Sequence, residues 1–289
     1  MTLPLEDTLV GYPAGEIVNS STVLHREPLP DGRLAVLLEQ TSVHPVDAGW
    51  PDQGADRAVL RAAGAELPVL DCIVGATDGS TLHIGREIPV GKGTEGWAFV
   101  VVHVLAGDTV IAEGDRVEVV VNPGYRARIS AGHTGCHLAS LALNLALGDR
   151  WKKETRLDGL GNPDFDGVAI DVSAIDENAS TDTYRLGKSL RRKGFVTEGL
   201  TDNLTEVQAV VNASLAEWTA TGAGVRIDRD GDRLTDRRHW VLELPGHTVR
   251  IPCGGTHPSS LAELGSVRVE LSTADVDGTT VLTMATFVG

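Results

Sequence analysis

The tightest constraint on the fold of this chain is a pair of short segments, 116 positions apart, that offer ligand atoms to one cation. The first is His133-Thr134-Gly135-Cys136-His137. On an α-helix, positions i and i+4 lie one turn apart on the same face, so both imidazoles can aim at a single point. The second is Cys253-Gly254-Gly255-Thr256-His257, where a Gly-Gly turn with positive backbone angles can fold a thiolate and an imidazole back together. Three nitrogens and one sulfur suit zinc better than calcium or magnesium. Four protein ligands also describe a closed structural site, whereas catalysis needs an open or displaceable position. Without the pairing, His133 and His137 read as partly exposed helix residues and Cys253 as a small buried hydrophobe.

Composition narrows the classes. The 289 residues are 42% hydrophobic and 22% charged, with room for one or two domains. Three cysteines, at 72, 136 and 253, make a poor disulfide framework, so a reducing cytoplasm is expected. The start, Met1-Thr2-Leu3-Pro4-Leu5-Glu6-Asp7, has neither the basic region nor the apolar core of a signal peptide. The longest apolar run, Trp97 to Ala106, is too short to span a bilayer and contains His103, so no membrane association is expected. A net charge of -15 excludes nucleic-acid binding through the overall field and leaves only local patches. Two basic runs stand out: Arg150, Lys152, Lys153 and Arg156, then Arg185, Lys188, Arg191, Arg192 and Lys193. They are either solvated faces or patches that receive phosphates.

The pattern of elements predicts an α+β chain in two parts. Residues 1–122 read as a β-barrel-like domain, with strands Leu34–Leu38, Val69–Val74, Thr81–Ile84, Trp97–Leu105 and Val117–Val121 between Gly- and Asp-rich turns. Asn122-Pro123-Gly124 reads as a break. Residues 123–289 read as an α+β metal-binding domain. Its helices are expected over Ala131–Leu147, capped by Ser130, and over Glu206–Thr221, with Thr205 and Gln208 forming a capping box. Its strands are expected at Trp240–Leu244, Val249–Ile251, Val267–Leu271 and Val281–Phe287, with turns at Pro245-Gly246-His247 and Asp275–Gly278.

In this order and form, HxxxH followed far downstream by Cys-Gly-Gly-Thr-His, the two segments resemble the editing domain of alanyl-tRNA synthetase and its free-standing relatives. That family is itself similar to the editing domain of threonyl-tRNA synthetase. The resemblance covers most of the chain and is dense around the two motifs. It implies a small β-barrel followed by an α+β domain holding zinc through His133, His137, Cys253 and His257. It also implies hydrolysis of the ester that joins a wrong amino acid to tRNA. Upstream, where the family has a Gly-rich loop ending in Gln and then Asp-Arg, this chain has His44 to Arg57. Gln53, Asp56 and Arg57 match, while Trp50 and Pro51 replace the glycine run. The middle, Trp151 to Phe195, also departs from the family pattern, which places the chain on a divergent branch.

The expected roles follow. Gln53 would hold the substrate carbonyl or orient water, and Asp52 or Asp56 would take a proton; capping of the loop or pairing with Arg57 is the alternative for either carboxylate. Arg57 counts among the substrate-binding candidates. Thr134 and Thr256 would bond the substrate amine or the water, or else stabilise helix and turn. Lys188, Arg191 and Arg192 share a helix face at i, i+3 and i+4 spacing and would meet acceptor-stem phosphates. Cys136 should lie on the helix but off the metal side, and Cys72 in the core; His44, His103, His239 and His247 lack ligand spacing. The leading expectation is a free-standing hydrolase of seryl- or glycyl-tRNA bearing the alanine anticodon. The alternatives are a zinc hydrolase of a small amino-acid ester or amide, and a non-catalytic zinc-folded binding module.

Overall fold

The computed structural model describes residues 3–289, and the chain is mixed α+β. It divides into two compact units. The first takes in the chain up to Ala127 together with Ile227–Arg238 and Gly254–Thr256; the second holds Arg128–Arg226, His239–Cys253 and His257–Gly289.

In the first unit, ten strands precede the long helix: β1 (Leu9–Val10), β2 (Val18–Pro28), β3 (Leu34–Leu38), β4 (Gln40–Thr41), β5 (Ala58–Ala62), β6 (Ala65–Val69), β7 (Asp71–Thr77), β8 (Leu82–Ile84), β9 (Ala98–Leu105) and β10 (Arg116–Val121). Eight form an antiparallel sheet in the order β6-β5-β10-β2-β3-β9-β7-β8. The ladder runs from β6 to β8 and curls as a half-barrel: just past the end of β6, Leu70 N donates to Val104 O of β9 at 2.8 Å. Strands β3 and β9 are buried along their whole length because they face a core on each side. Val36, Leu38, Phe99 and Val101 enter one cluster, and Ala35, Leu37, Val100 and Val102 the other. Burial on both faces explains why these strands read as continuous apolar runs rather than alternating ones. The run expected at Val69–Val74 is divided: Val69 ends β6, and Asp71 begins β7. Ile227–Arg238 joins this unit through the bonds Leu234 N to Thr8 O, 3.0 Å, and Val10 N to Asp232 O, 2.8 Å.

The long helix α1 covers Pro123–Ala146, eight residues earlier at its start than the expected Ala131. Asn122-Pro123-Gly124, read as a break, holds the start of this helix. The Asn122 side chain accepts from Tyr125 N at 2.9 Å, and Pro123, which has no N–H to satisfy, opens the first turn.

The second unit contains α2 (Phe165–Ala169), β11 (Ile170–Asp176), β12 (Ala179–Arg185), α3 (Lys188–Arg192) and α4 (Leu204–Ala220). Strand β13 (Val225–Arg229) lies beside the hairpin of β14 (Arg238–Leu244) and β15 (His247–Pro252). Strands β16 (Val267–Val276) and β17 (Thr279–Val288) complete a four-stranded antiparallel sheet, β11-β12-β17-β16. Thr205 and Gln208 form no capping box: α4 begins at Leu204 without a side-chain cap. Gln208 faces the edge strand instead, accepting from Leu271 N at 2.8 Å, and Asn212 bonds both N and O of Val269 at 2.7 and 3.1 Å. These two amides satisfy backbone groups that an uncovered edge would leave open.

Helix α1 approaches its sheet closely because it carries glycine at two contact points. A Cβ on Gly132 would lie 2.3 Å from Asp176 O, and one on Gly135 would lie 2.6 Å from a Val288 methyl. Among the described residues no helix is long and apolar enough to cross a membrane.

Candidate metal centre

The site grows from two elements of the second unit. Helix α1 presents His133 and His137 one turn apart, and β15 hands the chain to Cys253 directly after Pro252. The ligand atoms of His133, His137, Cys253 and His257 all lie within 4.8 Å of one another. Cys253 Sγ stands 3.5 Å from His133 Nε2, 3.4 Å from His137 Nε2 and 3.3 Å from His257 Nε2. A tetrahedral zinc with Zn–S about 2.3 Å and Zn–N about 2.0–2.1 Å would hold sulfur and nitrogen about 3.5 Å apart. The donor set and its spacing thus fit the group.

The surroundings favour ligation. Burial drives His137 down to about 4, which keeps its imidazole neutral and its lone pair available. Thr134 is fully buried, and its hydroxyl bonds His257 Nδ1 at 2.9 Å, fixing that ring with Nε2 toward the cluster. Trp240 from β14 forms a wall, its ring centroid 5.0 Å from that of His137 and 6.0 Å from that of His257. Its buried indole N–H meets no acceptor among the described residues. Trp240 received no role from the sequence; a tryptophan beside a strand end carries no ligand signature.

The Cys-to-His turn is not made as expected. Gly254 does not adopt positive φ and has open space where a side chain would be. In the first unit Gln53, 2% exposed, grips Thr256: its Nε2 donates to Thr256 Oγ1 at 3.0 Å and its Oε1 accepts from Thr256 N at 3.2 Å. The residue just before His257 is therefore clamped through both backbone and side chain, and the Gln53 amide is engaged at both ends.

The other candidates separate clearly. Asp56 is buried and doubly bonded to the Arg126 guanidinium, with Nε at 2.8 Å and Nη2 closer still, and it accepts from His44 N at 2.6 Å. The Arg57 guanidinium lies over the Tyr125 ring at 4.2 Å. Asp52 accepts from Gln53 N at 2.8 Å, and burial pushes its carboxyl up from the ordinary range. Cys136 points away from the ligands: its thiol lies 3.5 Å from both Asp182 oxygens, and burial pushes it well up. Cys72 is in the first unit's core. Lys188, Arg191 and Arg192 fall on α3, a helix of only five residues, and are exposed.

No protein-family model matches the chain. The alanyl-tRNA editing protein AlaX-M of Pyrococcus horikoshii is 26% identical over 235 residues, 81% of this chain and 78% of that protein. Over most of its length the chain is similar to the alanyl-tRNA editing family. Two alanine–tRNA ligases match as well: that of Cutibacterium acnes at 25% over 265 residues, and the chloroplastic/mitochondrial one of Ostreococcus lucimarinus at 26% over 247. These alignments take in 87% and 84% of this chain but only 23% of each ligase. Similarity to the alanyl-tRNA editing family is thus spread through both units, well beyond the metal ligands.

Proposed function

We propose that the chain is a metal-dependent deacylase that hydrolyses the ester of mischarged aminoacyl-tRNA, with zinc held by His133, His137, Cys253 and His257. The observation that carries this reading is the convergence of these four side chains at zinc-compatible separations. The alanyl-tRNA editing relative supports tRNA as the substrate carrier. Bound there, zinc supplies Lewis acidity toward an ester carbonyl and lowers the pKa of water.

The chain's own residues prepare the site. Thr134 orients His257 through its Nδ1, and Gln53 holds Thr256, so the downstream motif keeps its shape. Trp240 and burial of the ligand rings limit water around them. Asp52, whose raised pKa makes it a better proton acceptor near neutrality than an ordinary carboxylate, takes the proton from the attacking water. Arg57 binds substrate. Seryl- and glycyl-tRNA bearing the alanine anticodon are the substrates to try first.

The experiment is a panel of mischarged tRNAs incubated with metal-loaded protein, with chelator-stripped protein, and with His133→Ala/His137→Ala. Deacylation by the loaded protein alone is the expected result. Turnover unchanged after both histidines are replaced excludes the proposal. A second reading, a zinc hydrolase of small amino-acid esters, is favoured by the -15 charge and by Trp50 and Pro51 in the upstream loop. Hydrolysis of such esters with no action on any aminoacyl-tRNA would select it. A zinc-folded binding module is the remaining reading: chelation would unfold it, and no substrate would be cleaved.

A further inference from the structure

The two basic runs, separate in sequence, lie side by side in the second unit. Trp151 pairs with Phe195 as an antiparallel bridge. Lys152 N donates to Gly194 O and Val196 N to Arg150 O, both at 2.9 Å. The Arg150 guanidinium donates to the carbonyls of Val196 and Glu198, and Lys153 Nζ donates to Arg192 O at 2.9 Å. Gly194 permits the contact: its φ is +105°, and a Cβ there would lie 2.7 Å from Lys153 Cβ.

The joined surface carries Lys152, Lys153, Lys188, Arg191, Arg192 and Lys193, all exposed. None of them makes an ion pair with a carboxylate among the described residues, whereas Arg156 pairs with Asp164 and Arg185 faces Asp171. Unpaired cations gathered on one surface run against the composition of a chain with 40 acidic and 25 basic residues.

The helix that carries the histidines leads to this surface. From His137 to Ala146 it rises about 14 Å, and the turn Gly148–Arg150 follows. At about 3.4 Å per phosphate along one stacked strand, that is about four nucleotides. We infer that this surface receives the phosphates of the substrate RNA, at least about four nucleotides back from its esterified end. The inference rests on the deacylase reading for the ester and adds the surface that holds the RNA's phosphates, which neither a free amino-acid ester nor a mononucleotide would reach from the metal. It also gives a role to the middle of the chain, which the sequence reading set apart from the family pattern.

The test uses the metal-loaded full chain and an uncharged RNA hairpin with a single-stranded 3′ tail, with binding followed by fluorescence anisotropy from 50 to 200 mM salt. Lys152→Gln/Arg192→Gln/Lys193→Gln is compared with Arg86→Gln/Arg116→Gln/Arg237→Gln, which removes the same charge from exposed sites of the first unit. Each lost phosphate contact lowers the salt slope by about 0.7–0.9. Across this range the affinity of the first variant should therefore fall about 20- to 40-fold less than that of the unchanged protein. The second variant should retain the full slope. Thermal melting confirms that each variant is folded, and Arg192→Gln alone serves if the triple is not. Equal loss in both triples, no loss in the first, no RNA binding by the unchanged protein, or preferential binding to phosphatidylserine vesicles overturns the inference. Because no catalysis is read, absence of ester hydrolysis would count against the deacylase reading and leave this result standing.

Discussion

At the residue scale, the informative side chains are those next to the ligands. Thr134 lies inside the HxxxH segment, and its hydroxyl is spent on His257 Nδ1 at 2.9 Å. Partners of this kind fix ring orientation and raise the donor strength of the other nitrogen, and their loss costs about 10- to 100-fold in metal affinity. Thr134→Val, which keeps the shape and removes the bond, should weaken zinc binding by that factor in a competition titration against a chromophoric chelator. Unchanged affinity would show that packing alone orients His257. Asp56 shows how a residue matched by motif can serve structure: bonded to Arg126 and to His44 N, it holds the ends of the upstream loop.

At the element scale, α1 is seated by glycine. Glycine inside a helix costs roughly 1 kcal/mol relative to alanine, so two within one turn of the ligands suggest helix–sheet contact rather than helix propensity. At Gly132 the atoms in the way are the backbone of Asp176 and Ala179, which cannot swing aside as a side chain can. Gly132→Ala should therefore destabilise the protein by about 1–3 kcal/mol, despite the better intrinsic propensity of alanine. A denaturant titration in the presence of zinc would measure it, and a gain in stability would show that α1 can lift from the hairpin without cost. The α4 amides act across elements in the same way, since Gln208 and Asn212 close the edge of β16.

At the scale of the whole molecule, the second unit buries acid as well as apolar surface. Asp182 is 1% exposed, is bonded by Ser173, Ser180 and Cys136, and burial raises it to about 6. An unfolded Asp titrates near 3.9, about two units lower. The folded state therefore holds the extra proton between those values. The associated stability is complete below about pH 4 and is lost as pH rises through 6. Asp182→Asn removes this titration, and the slope of unfolding free energy between pH 4 and 6 should shift by up to one proton, about 1.4 kcal/mol per pH unit. Unfolding curves taken at several pH values with metal present would show it, and an identical slope would mean that other groups carry the dependence.

What the sequence by itself determined was whatever rests on local order. His133 and His137 had to share a helix face, the double-sided strands at Leu34–Leu38 and Ala98–Leu105 were legible as apolar runs, and Asp275–Gly278 marked a hairpin. The hairpin of β11 and β12 was not legible, because its inward face carries Ser180, Asp182 and Tyr184, and a pattern search for apolar alternation reads such a face as solvent. Only the tertiary structure decided that Cys253 and His257 meet the early pair, that Gln53 spends both amide atoms on Thr256, and that two basic runs become one surface. Each of these is a contact between residues distant in sequence. Local spacing sets which side chains can share a face, but the close packing of backbones, at Gly132, Gly135 and Gly194, sets which faces come together.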